Sequence, residues 1–216
     1  MLPQELQQGQ TNQTCRTSQT GQTGQTCPTR PLTFLPKAGG YRKLRVYGMA
    51  EAICDLTVIF VKRFVPAYSR TCDQMEQAAR SGKQNIAEGS AASATSKEME
   101  IKLTNVAKAS LEELLLDYED YLRQHNSAIW GKDSPRITAL RSYLKSERFR
   151  SCPTEFAQTY NAEEYCNLCI TLINQTTYLL RKLIERQQAD FVSKGGIKEQ
   201  MYKARTRYRT DFNDKI

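Results

Sequence analysis

A segment with two glycines inside an otherwise helical pattern reads Arg80-Ser81-Gly82-Lys83-Gln84-Asn85-Ile86-Ala87-Glu88-Gly89-Ser90. A glycine in a helix interior costs about 1 kcal/mol relative to alanine, so another interaction has to offset it. Small and apolar residues recur here at intervals of four and three: Met75, Ala79, Gly82, Ile86 and Gly89. This spacing places them on one helical face and predicts a seam for tight packing against a neighbouring helix.

The polar residues of the same segment lie off this seam. Gly82, Ile86 and Gly89 are therefore predicted packing positions. Lys83, Asn85 and Glu88 are left for a subunit interface or a phosphate contact. We favour the structural and interface roles for this motif over direct ligand binding.

Helical periodicity continues on both sides of the segment. It predicts helices at about residues 42–65, 69–92, 97–124, 135–145, 162–191 and 197–209, with Pro66 ending the first and Gly195-Gly196 ending the fifth. No useful stretch alternates with the period of a strand, so sheets are not expected. The predicted fold is all-α: an up-down four-helix bundle with a short extra helix and a basic C-terminal suffix.

The chain divides by composition into three parts. Residues 1–38 are rich in glutamine and threonine and lack the apolar surface that offsets the entropy of ordering, so they are predicted to be a disordered leader. Residues 39–193 form the predicted bundle, and residues 194–216 the basic suffix. Seven cysteines, an odd number, and the lack of a secretory signal or a spanning apolar run favour a cytoplasmic protein without a membrane partner.

The sequence offers little that catalysis requires. The single histidine, His125, falls at a predicted helix end. Cys166 and Cys169 lie in an apolar helical stripe without two further ligands, so they are predicted core residues rather than a metal site. Phosphate-binding loops and nucleophile elbows are missing as well. We therefore expect no catalytic residues, no metal and no cofactor, and we do not expect an enzyme.

Basic charge is the strongest functional signal, because the formal net charge is +8. The suffix interleaves cations with Tyr202 and Tyr208, and such patterns bind phosphates and stack on unpaired bases. The predicted nucleic-acid contacts are Arg80, Lys83, Lys97, Lys102, Lys108, Lys198, Lys203, Arg205, Arg207 and Arg209. The alternatives are a solvated tail, or a helix that docks through Ile197, Met201 and Tyr208.

Several of these stretches resemble a bacterial family of four-helix-bundle proteins. They are residues 39–44, 73–89, 111–114 and 117–120, of which Asn85-Ile86-Ala87-Glu88-Gly89 is the most specific. The family includes proteins encoded in 23S rRNA intervening sequences and the accessory variability determinant of diversity-generating retroelements. Residues 194–201 resemble the subgroup called four helix bundle suffix domain proteins. The likeness covers about residues 39–209.

The resemblance implies a ring-like homopentamer. In the retroelement branch it also implies a basic surface that binds nucleic acid, and a reverse transcriptase as partner. We therefore expect a non-enzymatic, basic helical-bundle oligomer that binds RNA or an RNA–DNA hybrid. The alternative is a protein-interaction scaffold without a direct role in nucleic-acid binding.

Overall fold

The computed structural model describes residues 40–155 and 158–213, and the side chains of these residues up to 210. A short 3-10 turn, Tyr41–Lys43, precedes seven helices: α1 Arg45–Phe64, α2 Arg70–Ala92, α3 Lys97–Gln124, α4 Pro135–Lys145, α5 Glu147–Ser151, α6 Ala162–Lys194 and α7 Ile197–Asn213. All regular structure in these ranges is helical, which confirms the all-α class for this part of the chain. The predicted leader, residues 1–38, lies outside the described residues.

Local side-chain chemistry fixes where the long helices begin. The Ser69 hydroxyl accepts a hydrogen bond from the Thr71 amide at the start of α2, and Ser96 does the same for Met99 in α3. Asn161 and Glu164 form a reciprocal capping box at the start of α6. Each cap satisfies backbone donors that have no partner inside the helix. This is why the predicted starts of these three helices agree with the structure to within about a residue.

Three predicted bounds and one further helix differ from the prediction. α1 begins at Arg45, three residues after its predicted start, because a 3-10 turn precedes it. α6 continues to Lys194 and α7 to Asn213, each a few residues beyond the predicted end. α5 occupies residues that directly follow α4, where the sequence predicted no helix. Ser146 explains the extra helix, because its hydroxyl caps the Phe149 amide while the Phe149 ring is buried. No helix in the described ranges combines the length and apolar character that crossing a bilayer demands.

The core lies between α1, α2, α3 and α6. α1 packs on α2 and α6, α3 packs on the same two helices, and α4 packs on α6. Phe60 of α1 lies at the centre, with ring centroids 5.0 Å from Tyr118 and 4.9 Å from Tyr121 of α3, and 5.6 Å from Tyr165 of α6. Aromatic pairs at such separations stabilise a core beyond the area they bury. One phenylalanine thus joins three helices.

The two fully buried tyrosine hydroxyls of this core have hydrogen-bond partners. The Tyr118 hydroxyl donates to Thr57 Oγ1 at 3.0 Å, and the Tyr165 hydroxyl donates to the Leu56 carbonyl at 2.9 Å. Burial raises the pKa of both phenols. Cys166 and Cys169 are fully buried beside them, and burial raises the pKa of the Cys169 thiol to about 12. Both cysteines are therefore core residues, as the sequence predicted.

The glycine seam of α2 faces α3. A Cβ added to Gly82 would lie 2.7 Å from Leu111 Cδ2, and one added to Gly89 would lie 3.3 Å from the Glu100 carbonyl oxygen. Ile86, between them, is buried. Leu111 is fully buried, so it has little room to yield. The absence of both Cβ atoms lets the two helices approach closely, which offsets the cost of glycine in a helix.

This contact predicts opposite effects for two glycine-to-alanine changes. Gly82→Ala gains about 1 kcal/mol of helix propensity but overpacks against Leu111, which costs roughly 1–3 kcal/mol, so the free energy of unfolding should fall. Gly48→Ala is the matched control, because Gly48 is exposed in α1 and its added Cβ meets no atom within 4 Å. That change should stabilise by roughly 0.5–1 kcal/mol. Urea unfolding of both variants measures the difference, and equal stabilisation would disprove the close packing.

Candidate nucleic-acid interface

The suffix helix α7 carries a high density of exposed positive charge. Residues 197–210 contain five cations and one carboxylate, Glu199. None of these residues is buried, and the aromatic rings of Tyr202 and Tyr208 are 72 % and 51 % exposed. The cations pair with no carboxylate in the described part of the chain: Lys198, Lys203, Arg205, Arg207 and Arg209. Their charge is therefore available to an anion from solution.

The charges of α7 are arranged around an apolar row. Ile197, Met201, Ala204 and Tyr208 recur at intervals of four, three and four, so they share one side of the helix. By the same 100° rotation per residue, Lys198, Arg205 and Arg209 flank this row on one side, and Lys203 and Arg207 flank it on the other. An extended anion with flat apolar groups, such as a nucleic-acid strand, matches this arrangement.

Glycines separate α7 from α6. Gly195 has a φ of 73°, a left-handed value that disfavours other residues, and its amide donates to the Phe191 carbonyl. The Gln200 side chain donates back to the Gly195 carbonyl at 3.2 Å. α6 therefore ends in a defined turn, and α7 begins after only two glycines.

The predicted cations of α3, unlike those of α7, form ion pairs with neighbouring glutamates. Lys97 pairs with Glu100 at 2.8 Å, Lys102 with Glu98 at 2.7 Å, and Lys108 with Glu112 at 2.7 Å. The Lys102 hydrogen bond lowers the pKa of the Glu98 carboxyl. Each lysine thus has a neighbouring negative charge one turn away. The three contribute little net positive potential to this surface.

The two predicted cations of α2 also differ from each other. Arg80 is exposed, whereas Lys83 is half-buried. Burial raises the pKa of Tyr47 and of Cys54 on α1, and the positive charge of nearby Lys83 opposes this rise in both groups. Arg80 is therefore the more accessible of the two for an outside partner.

The predicted interface motif is turned largely inward. The Asn85 side-chain amide donates to the Ser81 carbonyl at 2.9 Å, and the Ser81 hydroxyl is 2.9 Å from that of Ser110 on α3. Gly82, Ile86 and Gly89 are buried against α3. Glu88 alone among the five predicted motif residues is exposed, so it is the one that faces the solvent at a possible subunit interface.

A second basic surface was not foreseen from the sequence. It is a cleft of about 730 Å³ between the start of α1, the end of α3, the segment 129–145 and α6, which we call the insertion cleft. Four cations line it, with one carboxylate, Glu119: Arg45, Lys132, Arg141 and Lys145. All four are exposed and none pairs with a carboxylate among the described residues. Trp130 and Tyr178 contribute aromatic rings, and four aliphatic side chains complete the apolar lining: Ile129, Ile137, Ile170 and Leu179.

Buried Asn167 of α6 fixes the wall of this cleft. Its Oδ1 accepts from the Trp130 amide at 2.8 Å, and its Nδ2 donates to the Ala128 carbonyl at 2.9 Å. The Trp130 indole donates to Glu163 Oε1 at 2.8 Å, and the Arg136 guanidinium lies 5.0 Å from the indole centroid. Ile137, Leu140 and Leu144 hold α4 through its buried side. The segment is thereby anchored, and Arg141 and Lys145 stay on the outside.

The sequence contained one weak signal of this surface. Lys132, Arg136, Arg141 and Lys145 recur within residues 126–160, with Asp133 the one carboxylate between them. Arg45 and α6 belong to distant parts of the chain, so only the fold brings them to the same cleft. Clusters of basic residues along the sequence therefore predict the basic surface of the suffix but not that of the cleft.

Comparison of the chain with protein-family models, with curated proteins and with solved structures found no match in any of the three. The family resemblance noted from the sequence therefore stays a prediction.

Because Asn167 anchors the wall of the cleft, its replacement by alanine should lower the stability of the protein. Asn167→Ala leaves the Trp130 amide and the Ala128 carbonyl without their partner, which should cost about 2 kcal/mol of stability. It should also shift the emission of Trp130, the only tryptophan, to longer wavelength as water reaches the ring.

The matched control is Asn174→Ala on the same helix. Asn174 is exposed, and its amide donates only to the Ile170 carbonyl, at 3.0 Å. That change should stay within about 0.5 kcal/mol of the parent. Thermal unfolding followed by tryptophan emission tests the pair, and equal effects would contradict the anchoring role.

Proposed function

We propose that this protein is a non-enzymatic nucleic-acid-binding protein that contacts RNA or an RNA–DNA hybrid through its suffix helix. The observation that carries the proposal is the set of five exposed cations on α7, which have no carboxylate partner among the described side chains and are interleaved with exposed Tyr202 and Tyr208. Cations neutralise phosphates and release counterions, and tyrosines stack on bases. These two interactions together favour a polynucleotide over an acidic protein.

We further propose that α1, α2, α3 and α6 form an up-down four-helix bundle that presents this helix. Short connections, residues 65–69 and 93–96, join α1 to α2 and α2 to α3, and such connections make consecutive helices antiparallel neighbours. The contacts of α6 with both α3 and α1 are those that close a ring of four helices.

Self-association is part of the same proposal. Met99, Val106 and Leu116 are 47 %, 45 % and 61 % exposed on α3, and an interface with another copy of the chain would cover these apolar side chains. The family resemblance makes a homopentamer the expected state. Light scattering of the purified chain should then give five times the 24.7 kDa chain mass, and a monomeric mass would contradict the assembly.

The family resemblance adds a reverse transcriptase as a protein partner of the nucleic-acid-bound form. The second candidate function is a protein-interaction scaffold, which the exposed apolar residues of α3 support. Co-purification with and without nuclease treatment separates the two functions, because a scaffold should retain its protein partner when nucleic acid is removed.

Charge neutralisation on α7 tests the proposed function. The variant Lys203→Gln, Arg205→Gln, Arg207→Gln and Arg209→Gln should weaken RNA binding. It should also reduce the slope of log K against log salt by up to about 3, because four phosphate contacts are lost. The residues are exposed, so the fold should not change. Filter binding at several salt concentrations measures the slope.

The comparison variant carries Lys97→Gln, Lys102→Gln and Lys108→Gln. Because each of these lysines already pairs with a glutamate, their removal should change RNA affinity much less than the suffix variant does. Unchanged binding in the suffix variant would remove α7 from the proposal. Absence of any salt-dependent binding by the parent protein would overturn the proposal as a whole.

A further inference from the structure

The insertion cleft combines three features on one surface. It is concave, it holds four cations without carboxylate partners among the described residues, and its lining includes two aromatic and four aliphatic side chains. Its volume of about 730 Å³ lies within the range of roughly 300–1,000 Å³ that is typical of ligand sites. The suffix helix α7 contributes no residue to it, so the cleft is separate from the interface proposed above.

The distribution of charge identifies the ligand class. Arg45 from α1, Lys132 from the loop, and Arg141 and Lys145 from α4 supply cations from three elements, against the single carboxylate Glu119. The nearby Glu163 already accepts from the Trp130 indole and lies 3.8 Å from Arg136, so its charge is engaged. Four cations from three elements match an anion with more than one negative group.

The apolar lining indicates that the anionic ligand also carries apolar or aromatic groups. Trp130 and Tyr178 bring aromatic rings, and the Tyr178 ring is 51 % exposed with the Arg181 guanidinium 5.3 Å from its centroid. Ile129, Ile137, Ile170 and Leu179 supply an apolar surface that a phosphate alone would not use. Amide groups of Asn174 and Gln175 also line the cleft and can hydrogen-bond to base edges.

We infer that the insertion cleft binds an unpaired segment of a polynucleotide, with the bases against Trp130 and Tyr178 and the phosphates toward Arg45, Lys132, Arg141 and Lys145. The inference rests on the proposed function and extends it from nucleic acid in general to a single-stranded segment. An unpaired strand is required because the bases of a duplex are stacked on each other and do not present their faces to side chains.

The protein contains its own reporter for this site. Trp130 is the single tryptophan of the chain and lines the cleft. Titration with an oligouridine of about eight nucleotides, within the site sizes of single-strand binders, should quench Trp130 emission. Uridine monophosphate should bind at least tenfold more weakly, because one phosphate reaches fewer of the cations. A duplex RNA of equal length should leave the emission unchanged.

Two variants and their controls test the residues. Arg141→Gln with Lys145→Gln should weaken oligouridine binding at least tenfold, and so should Tyr178→Ala. The controls are Lys62→Gln with Arg70→Gln, and Tyr68→Ala, which is 91 % exposed. Lys62 is 17 residues along α1 from Arg45, a distance of about 26 Å at 1.5 Å per residue. All of these residues are exposed, so folding should be preserved.

The outcomes distinguish this inference from the proposed function. Quenching by oligouridine that the Arg141 and Tyr178 variants lose and the controls keep supports the cleft. RNA binding in a filter assay without any change in Trp130 emission, or equal binding by variants and controls, overturns the cleft and leaves the suffix interface intact. Equal affinity for the monophosphate overturns the polynucleotide assignment. Failure of every RNA to bind overturns both.

Discussion

The close contact of α2 with α3 is the constraint on which the rest of this structure depends. Gly82 and Gly89 have no Cβ, and Leu111 and the Glu100 carbonyl occupy the space that a Cβ would need. The approach brings the Ser81 hydroxyl to 2.9 Å from that of Ser110. With α3 held in this way, the same buried face about two turns after Leu111 brings Tyr118 and Tyr121 against Phe60 of α1. The same core buries Tyr165, and so positions α6.

α6 in turn carries both basic surfaces. Its buried Asn167 anchors the segment that forms the insertion cleft, and its last turn leads through Gly195 into α7. The two surfaces share one chemical property, since their cations have no carboxylate partner within the part of the chain that the structure describes, whereas the lysines of α3 each have one. Pairing, rather than the number of basic residues, is therefore what separates a surface that can attract an anion from one that merely keeps the protein in solution.

The sequence predicted the helices well, because their signals are local. Helical periodicity and capping residues predicted where α2, α3 and α6 lie. Apolar and small residues at intervals of three and four predicted their buried faces, which include Gly82 on α2 and Cys166 on α6. The ion pairs of α3 were also readable in principle, since Glu98 lies four residues before Lys102 and Glu112 four after Lys108. The insertion cleft was not readable, because Arg45, Arg141 and Tyr178 meet only after α4 packs on α6.

Photochemical cross-linking of uridine-containing RNA to the intact protein, followed by mass spectrometry of the attached peptides, tests the central claim most directly. The account predicts adducts on peptides from α7, with its exposed Tyr202 and Tyr208, and on the peptide that contains Trp130. Adducts confined to α2 and α3, whose lysines are paired or half-buried, would contradict it. So would the absence of any adduct at RNA concentrations where binding is saturated.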